Sequence, residues 1–233
     1  MRLLVSLWKM FSYTAGTAVI GLAVYEFWFF SQILYWVDHN PATTRVMDAR
    51  LEASRPDKPK ALEQKWMDYE RISIHLKRAI IIAEDAKFVD HEGFDWEGIQ
   101  RAMDKNVRRG RFVAGGSTIT QQLAKNLFLS GERSLLRKGQ EAILAAMLEA
   151  AMDKRRIFEI YLNVAEWGEN VFGAEAAARH YFGVDAAGLE PEQAARLAAM
   201  LPRPRYYDRN RSSPYLVSYS ESILAQMSAA QVP

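Results

Sequence analysis

The sequence predicts a mainly α-helical protein whose first helix crosses a membrane, and three observations support this. Alternating apolar and polar residues, the pattern of a strand, are nearly absent along the 233 residues. Helix-start signals recur instead, among them the capping box formed by Thr118 and Gln121. The stretch from Met10 to Val37 is apolar and aromatic with Glu26 as its single charge, and a membrane span needs only ~20 such residues.

The N-terminal segment is expected to be an uncleaved anchor. A signal peptide has a shorter apolar core and a small-residue cleavage site, whereas this stretch continues through Phe27 to Phe30 and ends at Val37. Arg2 and Lys9 precede the span, so the positive-inside rule places the N-terminus in the cytoplasm and residues from Asp38 onward outside. The alternative is a buried core helix, which the length and aromatic content disfavour.

The chain is expected to divide into three segments. Residues 1–37 form the cytoplasmic N-terminus and transmembrane helix, residues 38–70 a polar connector with one short strand or helix, and residues 71–233 a helical domain. A mobile loop is expected from Gly110 to Gly116, because three glycines and flanking arginines favour neither a core nor regular structure. Capping and proline signals predict helices over Ile72 to Val89, Trp96 to about Arg109, Thr118 to Gly131, Ser134 to Met152, Asp153 to Val164, Gly173 to Phe182, Pro191 to Leu201, and from Ser213 onward.

Two adjacent carboxylates, Glu84 and Asp85, follow the apolar run from Ala79 to Ala83. Neighbouring residues on a helix point about 100° apart, so these two side chains cannot both face one cleft. If one of them is a working acid or base, the other is expected to fix the local backbone or to pair with a cation. The plain alternative is that the pair simply ends a buried helix in water.

Basic residues concentrate in two places although the net charge is only +2. They lie in Arg101 to Phe112 and in Lys125 to Lys138. Between them, Gly115 and Gly116 precede a capped helix, and this arrangement suits either a bound pyrophosphate or carboxylate or an ordinary helix start. On the next helix, Arg137 and Lys138 are spaced to pair with Glu141, a pattern that an ordinary surface ladder of ion pairs also explains.

Several chemistries are excluded. The chain has no cysteine, which removes disulfides, thiolate zinc sites and a cysteine nucleophile. It contains no G-x-x-x-x-G-K-[ST], G-x-S-x-G or H-E-x-x-H motif, no Asp-x-Asp, and its four histidines are scattered. The remaining candidates for chemistry are the carboxylates and the concentrated basic residues of a domain next to a membrane.

Five blocks of the sequence resemble the family of monofunctional biosynthetic peptidoglycan transglycosylases, whose domain also forms the glycosyltransferase half of class A penicillin-binding proteins. The family's patterns are E-D-x-x-F-x-x-H-x-G, G-x-S-T-x-x-Q-Q-x-x-K-N, R-K-x-x-E and K-x-x-I-x-E-x-Y-L-N. Their matches here are Glu84, Asp85, Phe88, His91 and Gly93; Gly115, Ser117, Thr118, Gln121, Gln122, Lys125 and Asn126; Arg137, Lys138 and Glu141; Lys154, Ile157, Glu159 and Tyr161 to Asn163; and a fifth block, Arg196 to Pro202. The sequence departs from the family after Pro204, where Asp208-Arg209 replaces the frequent Asn-Pro.

The resemblance implies a mainly α, lysozyme-like glycosyltransferase domain over residues 71–233, with a small membrane-facing lobe. It implies polymerisation of lipid II with inversion, release of undecaprenyl pyrophosphate, and a monofunctional form because no transpeptidase domain follows. Glu84 would be the general base and Glu141 the second catalytic residue. Substrate-binding residues would be Asp85, Phe88, His91, Gly93, Ser117, Thr118, Gln121, Gln122, Lys125, Asn126, Arg133, Arg137 and Lys138.

The resemblance also implies partners and a location. The partners would be lipid II, the lipid-linked glycan chain and proteins of cell-wall synthesis or division, with no nucleic acid. The chain would cross the bacterial inner membrane once, with a periplasmic catalytic domain. No cofactor is required by the sequence, although Mg²⁺ or Mn²⁺ could bind the pyrophosphate near Glu141.

Two alternatives remain open at this point. A lytic transglycosylase or lysozyme-type hydrolase shares the fold and a glutamate, but uses that glutamate first as an acid. A non-enzymatic bitopic scaffold or nucleic-acid-binding protein would use the basic stretch from Arg101 to Arg111. An exported domain would meet no nucleic acid, which weighs against the last of these.

Overall fold

The structure, a computed structural model, describes residues 2–53, 61–111, 115–129, 131 and 134–233. It divides into two compact units, Met1–Asn40 and Pro41–Pro233. The helices of the described residues are α1 (Arg2–Asp38), α2 (Arg45–Glu52), α3 (Ile74–Glu84), α4 (Trp96–Arg109), α5 (Ile119–Phe128), α6 (Leu135–Ala151), α7 (Lys154–Val164), α8 (Ala174–Phe182), α9 (Pro191–Met200), α10 (Pro204–Arg209) and α11 (Pro214–Gln226). The strands are β1 (Glu63–Gln64), β2 (Glu166–Gly168) and β3 (Val171–Phe172). The predicted mainly α-helical class is confirmed.

The N-terminal unit is one continuous apolar helix. Within the described residues, the stretch Leu4–Asp38 of α1, with a mean hydropathy of 1.4, is the one helix long and apolar enough to cross a membrane. The hydroxyl groups of Ser12, Thr14 and Thr17 each donate to the backbone carbonyl four residues earlier at 2.9 Å. These bonds satisfy the polar groups within the helix itself, as an apolar surrounding requires. The predicted single N-terminal apolar helix is confirmed, and its orientation stays a prediction.

The connector contains both a helix and a strand, where one or the other was expected. Thr44 caps α2 by accepting from the Met47 amide at 3.2 Å. Strand β1 pairs in parallel with β3, which pairs antiparallel with β2, so the sheet order is β1-β3-β2. Arg50 holds the Glu166 carboxylate of β2 through two bonds of 2.8 and 2.9 Å. The sequence did not reveal this sheet because strands of two or three residues are too short to show alternation.

Helix α3 lies at the centre of the second unit. It packs against α9 and α11, while α5 packs against α6 and α7. Leu76, Ile80 and Ile81 of α3 are fully buried, which fixes the helix before it reaches its last residue, Glu84. The close packing of these aliphatic side chains holds the last turn of α3, and with it the backbone of Glu84, in a fixed position.

Helix α3 is shorter than predicted, since the expected helix over Ile72 to Val89 was wrong at its C-terminal end. The backbone leaves the helix at Asp85, with φ −163° and ψ 76°, and Phe88–Asp90 form a separate 3₁₀ turn. The physical reason is that the Asp85 carboxylate has partners beyond the helix, described below, which the apolar pattern could not reveal.

Other predicted helix boundaries agree closely with the structure. Asp95 caps α4 and Asp153 caps α7 through bonds to backbone amides of 2.8 and 2.7 Å. Helix α5 ends at Phe128, before the predicted stop at Gly131, a residue whose φ is +87°. Helix α10 was not predicted. Its Asp208, at the departure from the family pattern, accepts from the Glu169 amide at 3.1 Å.

Candidate active site

Glu84 is the last residue of α3, and one of its two carboxylate oxygens has a hydrogen-bond partner among the described residues while the other has none. Oε2 accepts a hydrogen bond of 2.6 Å from the Gln122 side-chain nitrogen. Oε1 is buried and has no hydrogen-bond partner among the described residues. Burial raises the pKa of Glu84, and the Asp85 charge adds to this, whereas the Gln122 hydrogen bond and the Lys125 charge oppose it. Glu84 is therefore a carboxylate that takes up a proton more readily than an exposed one.

Asp85 has hydrogen-bond partners different from those of Glu84 and joins three segments. Its Oδ2 accepts from the Ile119 amide at 3.0 Å, and its Oδ1 and Oδ2 lie 2.9 and 3.1 Å from His91 Nε2. The side chain is buried, with 7% of the residue exposed. The expectation that Glu84 and Asp85 cannot both face one cleft was wrong, because Asp85 lies outside the helix and both residues line the same cleft. The expected structural role is supported, since Asp85 fixes the start of α5 to the end of α3.

The start of α5 is locked to the turn at Gly93. Thr118 and Gln121 form the predicted capping box, with bonds of 3.1 and 3.2 Å between each side chain and the other's amide. The Thr118 hydroxyl also donates to the Gly93 carbonyl at 2.7 Å. Gly93 has φ +83°, and a Cβ there would approach Glu149 Cγ to 3.1 Å, so a side chain would strain this turn.

These contacts decide between the two interpretations of the α5 start. The amides of Thr118, Ile119 and Gln121 are already bonded to side chains, the second of them to Asp85. A pyrophosphate at these three amides would have to displace those partners. At these three amides the structure therefore favours an ordinary capped helix over a bound pyrophosphate.

Cationic side chains from α5 and α6 form a cluster around Glu141, and we call Lys125, Arg137, Lys138 and Glu141 the cationic cluster. Glu141 is buried; Lys138 donates to its Oε1, and Arg137 Nη1 lies 3.8 Å from its Oε2. The Arg137 Nε is buried without a hydrogen-bond partner among the described residues. A buried cationic donor without a partner is compatible with a bound anion or water at this atom.

Lys125 links the cationic cluster to Glu84. Burial lowers the pKa of Lys125, and the charges of Glu141 and Glu84 oppose that shift because both attract the ammonium group. On the other side, Lys138 Nζ donates to Ser117 Oγ at 3.3 Å. Ser117 lines the same cleft as Glu84. The members of the cationic cluster do not themselves line this cleft, and they are connected to it through Ser117 and through the charge of Lys125.

The cleft at Glu84 has a volume of about 270 Å³ and is lined by Ile82 to Lys87, Asp95, Gly98, Arg101 and Gly115 to Thr118. A larger cleft of about 490 Å³, lined mainly by residues of α9 and α11, contains none of the predicted site residues. Chemistry rather than size identifies the smaller cleft as the site, because it alone of the two contains Glu84 and Ser117.

Some predicted site residues are not brought to this cleft. Phe88 is fully buried, packing on Phe158 at 5.6 Å between ring centroids, with Lys154 Nζ 4.6 Å from its ring centre. Asn126 is half-buried on α5. Arg133 lies outside the described residues, as does part of the predicted Gly110 to Gly116 loop. Their roles in substrate binding or closure stay predictions.

Two tyrosines at the site were missed as functional residues. Tyr161 of α7 donates to the Gln122 side-chain oxygen at 3.1 Å, and Tyr219 of α11 donates to the Ala83 carbonyl at 3.0 Å. Burial raises the pKa of Tyr161 well above its ordinary value, and that of Tyr219 to about 12. Tyr161 belongs to the fourth sequence block, so its position carried a signal, whereas nothing around Tyr219 did.

The residues near Glu141 do not by themselves form a metal site, and the divalent ion expected with the pyrophosphate stays a prediction. Among the residues that the structure describes, no group of three or more His, Asp or Glu side chains could hold a metal ion. The Glu141 carboxylate is already engaged by Lys138 and Arg137. Mg²⁺ binds through carboxylates and substrate phosphates, so it would compete with these cations for a single carboxylate.

A part-buried carboxylate whose pKa is raised by burial, near a cluster of cations, is typical of an enzyme site that transfers a proton on a negatively charged substrate. A family model described as Transglycosylase matches residues 52–228, and the chain belongs to this family. It is 63% identical over 217 residues to the biosynthetic peptidoglycan transglycosylase of Dechloromonas aromatica (strain RCB), covering 92% of this chain and 94% of that one. The protein of the same description from Nitrosospira multiformis (strain ATCC 25196 / NCIMB 11849 / C 71) is 56% identical over 227 residues, covering 97% of both chains. The family indicated by the five sequence blocks is confirmed.

Proposed function

We propose that the protein is a peptidoglycan glycosyltransferase that polymerises lipid II into β-1,4-linked glycan strands. Family membership and the description shared by its relatives support this activity. The observation that carries the site assignment is the unoccupied Oε1 of Glu84, in a cleft that Lys125 joins to the cationic cluster.

Glu84 acts as the general base. Its Oε1 removes the proton from the 4-hydroxyl of the acceptor sugar, and the hydroxyl oxygen attacks the anomeric carbon of the donor. The bond from that carbon to the pyrophosphate breaks, so the α-linked donor becomes a β-1,4 linkage and the lipid pyrophosphate leaves. A positioned base typically contributes 10²–10⁴-fold to such a step, since a sugar hydroxyl is a poor nucleophile.

The cationic cluster stabilises the leaving group. The pyrophosphate gathers negative charge as the bond breaks, and fixed cations lower the energy of that state most when they are already in place. Lys125, Arg137 and Lys138 supply this charge, and the resemblance adds Arg133. A divalent ion bound with the pyrophosphate would supply further charge neutralisation. Glu141 holds the cations in position through its contacts with Arg137 and Lys138.

The apolar helix α1 anchors the protein in the bacterial inner membrane. Arg2 and Lys9 before the span support a cytoplasmic N-terminus and a periplasmic catalytic domain. Anchoring keeps the cleft near a substrate that cannot leave the bilayer. Partner proteins of cell-wall synthesis or division belong to the same proposal.

A glycan-cleaving enzyme is the second candidate, and the pKa of Glu84 does not separate the two. A buried glutamate of raised pKa also serves as the general acid of lysozyme-type enzymes. The cationic cluster favours synthesis, because cleavage of a glycan strand releases no phosphate for it to bind. Incubation with lipid II and, separately, with finished glycan distinguishes them: synthesis consumes only the first.

The two glutamates are separated by Glu84→Gln and Glu141→Gln. Glu84→Gln cannot accept the proton, so turnover should fall by about 10²-fold or more while a pyrophosphate-containing donor analogue still binds. Glu141→Gln disturbs the cationic cluster, so analogue binding should weaken together with the rate. Glu192→Gln, at an exposed position on α9, is the matched control. Near-normal turnover of Glu84→Gln would assign the base to another residue, with Asp85 the first to test.

A further inference from the structure

A chain of two hydrogen bonds connects the core of the protein to Glu84. The Tyr161 hydroxyl on α7 donates to Gln122 Oε1 at 3.1 Å, and Gln122 Nε2 on α5 donates to Glu84 Oε2 at 2.6 Å. Tyr161 is 1% exposed, so water does not compete for its hydroxyl. Three helices thus contribute one residue each to a single directed chain that ends on the base.

The direction of this chain follows from the donors and acceptors present. An ionised carboxylate only accepts, so Gln122 must turn its NH₂ group toward Glu84 and its oxygen toward Tyr161. The Tyr161 hydroxyl meets that oxygen as a donor. The reversed amide would set its oxygen against the negative carboxylate and would lose the bond from the hydroxyl.

We propose that Tyr161 and Gln122 are positioning residues that hold Glu84 by Oε2 and so reserve Oε1 for the proton of the acceptor hydroxyl. This inference rests on the proposed role of Glu84 as the base. Oε1 is the oxygen of that carboxylate without a partner among the described residues. The chain therefore selects which oxygen reacts, and the Gln122 hydrogen bond stabilises the charged form of the carboxylate.

Removal of the Tyr161 hydroxyl has a defined electrostatic consequence. The charged and titratable groups that face Glu84 are Asp85 at the end of α3, Lys125 on α5, Tyr161 on α7 and Tyr219 on α11. Tyr161→Phe leaves the other three in place and weakens only the bond that Gln122 donates. Because the Glu84 carboxylate is then less stabilised in its charged form, the pKa of Glu84 rises further. The acid limb of the pH–activity profile therefore moves to higher pH.

The test is the pH dependence of lipid II turnover by the full chain in detergent. On the acid limb, Tyr161→Phe should be about 3- to 10-fold slower than the unmodified protein, whereas at the alkaline plateau the two should agree within about twofold. A merely structural role would lower activity at every pH by one factor. Tyr69→Phe is the matched control, because Tyr69 is also buried and also donates one hydrogen bond, at 2.6 Å to the Pro233 carbonyl.

A second variant keeps the test decisive if Tyr161→Phe folds poorly. Gln122→Met removes both bonds of the chain at similar side-chain length and should shift the acid limb at least as far. Adding Tyr161→Phe to it should cause no further shift, since Tyr161 acts only through Gln122. An unshifted limb in both single variants, with Glu84→Gln inactive, overturns this inference alone. Activity retained by Glu84→Gln overturns the proposed base instead.

Discussion

Asp85→Asn tests whether the second carboxylate holds the site together rather than reacting. The Asp85 carboxylate accepts from the Ile119 amide and from His91 Nε2. The substitution keeps the size of the side chain but replaces one acceptor oxygen by an NH₂ group. That group must face one of the two donors. Turning His91 to its other tautomer relieves the clash only by placing an N–H on Nδ1, a buried atom with no partner among the described residues.

The expected loss of stability in Asp85→Asn follows from these contacts. A hydrogen bond to a charged group contributes about 1.5–3 kcal/mol, and a buried donor left unsatisfied costs about 1–3 kcal/mol. We therefore expect Asp85→Asn to lower the free energy of unfolding by about 1.5–3 kcal/mol. For a domain of this size that lowers the melting temperature by roughly 3–12 °C.

Denaturation of the full chain in detergent measures this change, and hydrogen exchange at the Ile119 amide measures it locally. The matched control is Asp153→Asn, because Asp153 is an exposed helix cap and asparagine caps a helix as well as aspartate does. The control should change stability by less than about 0.5 kcal/mol. If Asp85→Asn unfolds like the control and the Ile119 amide stays equally protected, the structural role assigned to Asp85 is refuted.

Three further predictions concern binding and stability. Lys125→Met should weaken binding of a pyrophosphate-containing donor analogue by about 10- to 100-fold in a titration, while Lys105→Met at an exposed position of α4 should not. Burial alone would raise the pKa of Glu175, but hydrogen bonds from the Ala186 amide and from two cations outweigh it, so its pKa lies below the ordinary 4.5. The charge of Glu175 therefore stabilises the fold above pH 4.5, and this contribution is lost as the pH falls through the lower folded-state pKa. Glu175→Gln should flatten the pH dependence of the unfolding free energy in that range. Asn163→Ala removes bonds of 2.8 and 3.0 Å to the Met67 backbone and should lower the unfolding free energy by about 2–4 kcal/mol in urea denaturation; an unchanged midpoint would contradict this.

Features encoded within a few neighbouring residues could be predicted from the sequence. The Thr118 and Gln121 capping box and the caps at Asp95 and Asp153 depend on contacts three residues apart, and the structure contains all of them. The apolar anchor needed only composition and length.

Features that depend on distant partners could not be predicted in this way. The end of α3 at Glu84 is set by Asp85 bonds to residues on other segments, and the apolar pattern before it continues without a stop signal. The use of the α5 amides by side chains rather than by an anion has the same cause. The hydrogen bond from Tyr161 joins residues 39 positions apart, so no local pattern marks it.

The termination of α3 at Glu84 has an electrostatic consequence for the proposed base. Aligned peptide dipoles give a helix a partial negative charge at its C-terminal end, where an anion is destabilised by about 0.3–1 kcal/mol. Carboxylates and phosphates are instead stabilised at the N-terminal end of a helix. Here the backbone of α3 repels the charge of its own last side chain, and Gln122 and Lys125 only partly compensate. A carboxylate destabilised in this way has a higher proton affinity. The proposed deprotonation of a sugar hydroxyl requires this property.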